Sequence, residues 1–198
     1  MALSLNGTST GSLNNISVPN ETGTLATTST TILPKIVVAA RRTTSQQGIA
    51  NGSGIWDSNN TPTSSTSVLY DVEVLDTYSQ FDETTGIFTV DSNTVGWYEV
   101  RFNLLGYSLQ NTSGESRCTV LIYKNDTSIQ SRADIYETSN PDETRFGITT
   151  NAVVDLTTSG DNVRVKCAYL TTAGSGGSGG KDAQSGTNIT ITRLTDAS

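Results

Sequence analysis

Three pairs of acids, Asp71 with Glu73, Asp82 with Glu83 and Asp142 with Glu143, supply the two carboxylates that glycoside hydrolysis requires. Their placement speaks against it. Sequence neighbours on a strand project from opposite faces, and all three pairs border turns, where acids serve solubility or turn hydrogen bonding. Histidine is absent, which removes the Ser-His-Asp triad, Cys-His dyads, imidazole zinc sites and the side chain that titrates near neutrality. A non-enzymatic protein is expected. Asp57-Ser58-Asn59-Asn60 and Asp91-Ser92-Asn93 are oxygen-rich stretches of the sort that hold a hard cation, yet neither has the twelve-residue calcium-loop spacing. Asp and Asn are also ordinary turn residues. No cofactor is expected; calcium is the one ion these loops could take, and a plain turn is the alternative.

Cys118 and Cys167 are the only cysteines, too few for a disulfide framework and too far apart for a CxxC metal or redox pair. Cys118 shares its parity with Val120 and Ile122, and Cys167 with Val163 and Val165, so both thiols should face a core. Two reduced core thiols and a cross-strand disulfide both satisfy that pattern. Asn-x-Ser/Thr sequons, among them those at Asn6, Asn15, Asn20, Asn51, Asn111, Asn125 and Asn188, are read as a chance product of a Ser/Thr/Asn-rich composition, since no signal peptide accompanies them.

These residues must be positioned by strands. Of 198 residues, 34% are hydrophobic and only 16% charged, the usage of strands joined by many turns. Nineteen acids oppose 12 bases for a net charge of -7, with no Lys/Arg cluster, so nucleic acid is not expected as a partner. No apolar run approaches the roughly 20 residues that span a bilayer, so membrane insertion is not expected either. Strand signals fall at Lys35 to Ala40, Val68 to Leu75, Ile87 to Val90, Trp97 to Leu105, Cys118 to Tyr123, Thr144 to Leu156, Val163 to Leu170 and Asn188 to Leu194. In the clearest of them Tyr98, Val100, Phe102 and Leu104 alternate with Trp97, Glu99, Arg101 and Asn103, a period of two that a helix would scramble. About eight such strands with no helix predict an all-β, antiparallel β-sandwich of jelly-roll type. The long loops Gly48 to Thr66 and Thr171 to Thr187 exceed hairpin lengths.

Residues 1 to 34 are rich in Ser, Thr, Asn and Gly, with apolar residues isolated at Leu3, Leu5, Leu13, Ile16, Val18 and Leu25. Such a segment cannot build its own core; it is either an extended arm that docks by strand addition or a free tail. The domain plan is therefore an N-terminal docking arm, 1–34, and a head domain, 35–198.

Residues 81 to 105, FDETTGIFTVDSNTVGWYEVRFNLL, resemble the signature of the C1q/tumour-necrosis-factor jelly-roll superfamily. The resemblance is carried by Phe81, Asp82, Thr85, Gly86, Phe88, Gly96 and Tyr98. It continues in LIYKND at 121 to 126 and in NAVVDLTTSGDNVRVKCAYL at 151 to 170, with Gly160, Asp161 and Val163. Departures are Asp126 where the family commonly has Gly, Trp97 before Tyr98, no collagen stalk and the Gly/Ser-rich loop. The N-terminal SLNGTSTGSLNNISVPNETGTLATTST resembles the opening of tail-fibre-like proteins from tailed bacteriophages. Together the two resemblances imply a virion structural protein, a trimeric short fibre, spike or capsid decoration protein at the virion surface, made in the bacterial cytoplasm. Its partners would be itself as homotrimer and other virion proteins; the alternative is a module binding a host surface glycan or protein. Trp97, Tyr107, Tyr123, Tyr136 and Tyr169 are the candidate trimer contacts, because a sandwich with aromatic side chains on an outer face hides them against copies of itself.

Overall fold

The computed structural model describes residues 35–49, 62, 65–107, 115–138, 145–171 and 182–196. The expected docking arm with Leu3, Leu5, Leu13, Ile16, Val18 and Leu25 lies outside the described residues. So do Asp57 to Asn60, Asp142, Glu143 and the Gly/Ser-rich run.

Twelve strands are described: β1 (Lys35–Arg41), β2 (Thr66–Ser67), β3 (Val72–Asp76), β4 (Phe81–Asp82), β5 (Ile87–Thr89), β6 (Gly96–Tyr107), β7 (Glu115–Lys124), β8 (Ser128–Thr138), β9 (Arg145–Leu156), β10 (Asn162–Thr171), β11 (Asp182–Ala183) and β12 (Asn188–Asp196). No helix occurs among the described residues. Sheet A runs β3-β1-β12-β6-β9, with β11 also pairing β6, and sheet B runs β4-β5-β10-β7-β8, with β2 on β10. Every pairing is antiparallel.

Eight of these strands make the frame, and they pair first with last inward: β1 with β12, β5 with β10, β6 with β9, β7 with β8. That nested pairing, split between two facing sheets, is the jelly roll. The expected all-β antiparallel sandwich is therefore the observed fold. Its cause is visible in β6, where Tyr98, Val100, Phe102 and Leu104 are all buried while Trp97, Arg101 and Leu105 are exposed. Against them pack Cys118, Val120 and Ile122 of β7 and Val163, Val165, Cys167 and Tyr169 of β10. Both cysteines are free and buried, and burial pushes the Cys167 thiol up to about 12, so neither is a ready nucleophile.

Two expectations are corrected. Val68 to Leu75 is not one strand: only its second half, from Val72, is strand, in β3 of sheet A, while β2 on sheet B ends at Ser67, and between them the chain crosses the sandwich. Asp71 anchors that crossing, its carboxylate accepting from the Thr43 and Thr44 amides at 2.6 and 2.8 Å. The eleven-residue β8, SIQSRADIYET, has no counterpart in the sequence expectation. Its outward Arg132 and Asp134 are charged and its inward residues include Ser131 and Ala133, so the apolar alternation is faint.

Candidate functional site

The signature residues build scaffold. Phe88 is fully buried, edge-on to Tyr98 with ring centroids 5.2 Å apart, and the Tyr98 hydroxyl donates to the Thr94 carbonyl. Phe81 packs on Tyr70 at 5.5 Å. Asp82 accepts from the Thr84 and Thr85 amides and the Thr84 hydroxyl, and these bonds, led by that of the Thr84 side chain, hold its carboxyl below the usual range. Gly86 has φ +69°, and a Cβ there would lie 2.2 Å from the Val68 carbonyl oxygen, so both backbone and space demand glycine. Gly96 opens β6, Val163 is core, and Gly160 takes φ +93° in the β9–β10 turn.

Asp161 ties two turns together. Its carboxylate accepts from the Thr158 amide at 3.1 Å and the Asn125 side chain at 2.8 Å, and pairs with Lys124 at 3.3 Å. Burial alone would raise its pKa, but those bonds outweigh it and hold the group below the ordinary value. Asp91 is likewise occupied by its own turn, accepting from the Asn93 amide at 2.8 Å and the Thr94 hydroxyl at 2.9 Å; the Asn93 bond leads the lowering of its pKa. No group of three or more metal-ligating side chains occurs among the described residues.

Of the acids weighed for hydrolysis, Asp71 holds the 43–44 backbone and Asp82 its own turn.

The outer faces of the two sheets differ. On sheet B the outward residues of β7 are buried: Arg117, Thr119, Leu121 and Tyr123. Asp134 on β8 accepts from Thr119 and pairs with Arg117 at 3.0 Å and Arg132 at 2.8 Å. Asp126 pairs with both Arg164 and Lys166, and the Lys166 ammonium lies 4.9 Å over the Tyr123 ring. Asn125 and Asp126 sit at φ +50° and +60°, a hairpin geometry usually filled by Asn-Gly. The carboxylate that departs from the family pattern thus has two cationic partners.

On sheet A the outer face is open. Trp97 is 45% exposed and Val153 54%, and Val153 faces Glu99, the next outward residue after Trp97. The row Val153, Glu99, Thr192, Ile36 crosses four strands in register, and Ile36 is also exposed. Of the candidate trimer contacts, Trp97 stands on this face. Tyr123 lies on the outer face of sheet B, buried beneath Lys166. Tyr169 is corrected: it is a core residue, 1% exposed, its hydroxyl donating to the Asp182 carbonyl at 3.1 Å, so its ring has no surface to offer a second copy. The side chains of Tyr107 and Tyr136 lie outside the described residues.

At the other end of β6, the outer face of sheet A sinks into a hollow of about 390 Å³ lined by Leu105, Gly106, Arg145, Phe146, Gly147, Gln184 and Ser185. None of these residues was singled out from the sequence. The signal that could have found them is a glycine within the strand pattern of Thr144 to Leu156.

The fold is a jelly-roll sandwich. Among solved structures it is similar in chain course to the globular domain of zebrafish complement 1qA protein, 16% identical over 83% of this chain and 99% of that one, TM-score 0.49. Murine APRIL is similar at 15% identity, over 80% of this chain and 98% of that one, TM-score 0.48. Neither likeness bears on ligand or partner. No protein-family model matches the chain, and no curated protein matches it.

Proposed function

We propose that this chain is a non-enzymatic structural protein of a tailed-bacteriophage virion, a short fibre, spike or capsid decoration protein that assembles as a homotrimer. Residues 1–34 dock it to other virion proteins and the 35–198 head faces outward at the virion surface. The observation that carries the assembly is the open outer face of sheet A, where Trp97, Val153 and Ile36 leave apolar surface in water. Single exposed apolar residues are ordinary, but three on the outer face of one sheet, one of them an indole, favour a contact surface. The virion assignment is supported by the resemblance of residues 4 to 30 to phage fibre-like proteins.

Light scattering of the full chain should give about three times 20.9 kDa, and Trp97→Ser should shift the protein toward monomer. A wild type that is monomeric at micromolar concentration sinks the trimer. Deleting residues 2–33 should leave a folded head that no longer enters particles. A second reading, attachment to a host surface glycan, is favoured by the hollow beside Leu105 and Gly147.

A further inference from the structure

An open sheet edge is a row of unpaired backbone donors and acceptors, which proteins blunt with bulges, charges or very short strands. Most edges here are blunted. The edge strand β3 carries Glu73 and Asp76, and its register with β1 passes over Val74. On β8 stand Arg132 and Asp134, and its register with β7 passes over Gln130. β4 has only two residues. Strand β9 differs. Among the described residues it pairs with β6 alone, in step at every position from Arg145 to Leu156. Between Arg145 and Asp155 it reads FGITTNAVV, without a charge or a proline. The Ser131 hydroxyl on β8 meets that of Thr150 at 2.8 Å, a side-chain contact that leaves the backbone edge as it is. A long, regular, uncharged edge is a template for another strand.

The sequence of β9 indicates which strand. Gly147, Thr149, Asn151 and Val153 are exposed, while Ile148, Thr150, Ala152 and Val154 are buried. An added strand must set outward residues beside outward ones, so two antiparallel copies of β9 can meet only in registers that oppose residues of like parity. Centred on Thr150, that register opposes Arg145 to Asp155, Gly147 to Val153 and Thr149 to Asn151 outward, with Phe146 to Val154 and Ile148 to Ala152 inward. Every pair is compatible. The end charges are unlike, and the exposed valine stands against the glycine, whose presence inside a strand commonly marks a close approach. Both end charges have interactions of their own, and the register takes nothing from them; it requires only that unlike ends meet. Centred on Thr149 instead, Arg145 would oppose Val153; centred on Asn151, Gly147 would oppose Asp155.

We propose that the free edge of β9 docks a second copy of this chain, the two β9 strands pairing antiparallel about a two-fold axis at Thr150 and joining two copies of sheet A into one continuous sheet. The contact is isologous and therefore closes on itself. A single strand edge is small beside the roughly 20–30 residues a side of a stable interface, so the association is weak and grows with protein concentration. It is separate from the outer face around Trp97 and does not depend on the trimer.

The test is disulfide trapping with two full-chain variants, Thr149→Cys and Asn151→Cys, both at exposed positions, oxidised with diamide at high protein concentration. The native thiols Cys118 and Cys167 are buried and stay out of the reaction. An equal mixture of the variants should give a covalent dimer of about twice 20.9 kDa, about tenfold faster than either variant alone, because the register sets position 149 against 151 and leaves like positions on the longer diagonal. Sedimentation gives a second measure. Thr149→Glu combined with Asn151→Glu opposes like charges twice and should weaken the association about tenfold, whereas Thr149→Lys combined with Asn151→Glu should restore it. No cross-link in the mixture, equal rates in the mixture and the single variants, or undiminished association of the double-glutamate variant would each overturn the proposal. A wild type that is trimeric but never cross-links removes the edge contact and leaves the trimer standing; one that cross-links yet is monomeric at micromolar concentration removes the trimer and leaves the edge contact.

Discussion

Leu121 and Trp97 occupy equivalent stations, outward on a central strand of each sheet, yet Leu121 is fully buried and Trp97 is 45% exposed. Register supplies a reason. Leu121 lies between Lys166 and Arg132, whose long stems flank an apolar neighbour while their charged heads reach Asp126 and Asp134. Trp97 lies between Asp155 and Thr195, side chains too short to cover an indole. The middle of one face is covered by the chain's own side chains; the other keeps apolar surface in water. An outward apolar residue therefore contributes to monomer stability on sheet B, and on sheet A it is the material of the assembly proposed above.

The sharpest way to break this contrast is Asp134→Ala. It takes away a carboxylate shared by Arg117, only 3% exposed, Arg132 and Thr119, and leaving a buried charge short of its partner should cost about 3 kcal/mol of unfolding free energy. Urea denaturation would measure it; a loss below about 1 kcal/mol would mean that the sheet B face is not held by its ion pairs. Leu121→Ala should cost about 2 kcal/mol by opening a cavity, whereas Val153→Ala, 54% exposed on the other face, should change monomer stability by no more than about 0.5 kcal/mol. Equal losses at the two positions would erase the distinction between the faces.

Acid should act more gently, through the turns. The folded-state pKa values of Asp82, Asp91 and Asp161 lie below their ordinary values, so their contribution is fully present above the unfolded value, about pH 4, and is lost as pH falls through the folded ones. Urea midpoints should hold from pH 7 to about pH 5 and fall below about pH 4. Asp161→Asn should flatten that fall. An unchanged acid limb in this variant would show that the link between the 125 and 158–161 turns adds nothing to stability.

Much of the fold was legible because strand alternation is local. The period of two in β6 announces which side chains enter the core, and the Thr-Gly turn before Phe88 announces a hairpin with a left-handed residue, all within a dozen positions. The strand β8 escaped notice because its outward Arg132 and Asp134 and inward Ser131 and Ala133 blur the apolar period. The segment 68–75 departs from a single strand for another reason: its apolar residues, interrupted by Asp71 and Glu73, are divided between a crossing and an edge strand. Of the candidate contacts, Trp97 was readable as outward from its parity, while the core position of Tyr169 needed only the parity it shares with Cys167.

What the sequence by itself determined is therefore the alternation, the absence of imidazole chemistry and the turns that join the strands, since each depends on neighbours in the chain. Only the tertiary structure decided which outward residues are covered and which are open. Leu121 is sheltered by a residue 45 positions away, and Gly147 shares its hollow with Gln184, 37 positions away. Those partners are chosen by register between strands that are distant in sequence, and no local period records that register.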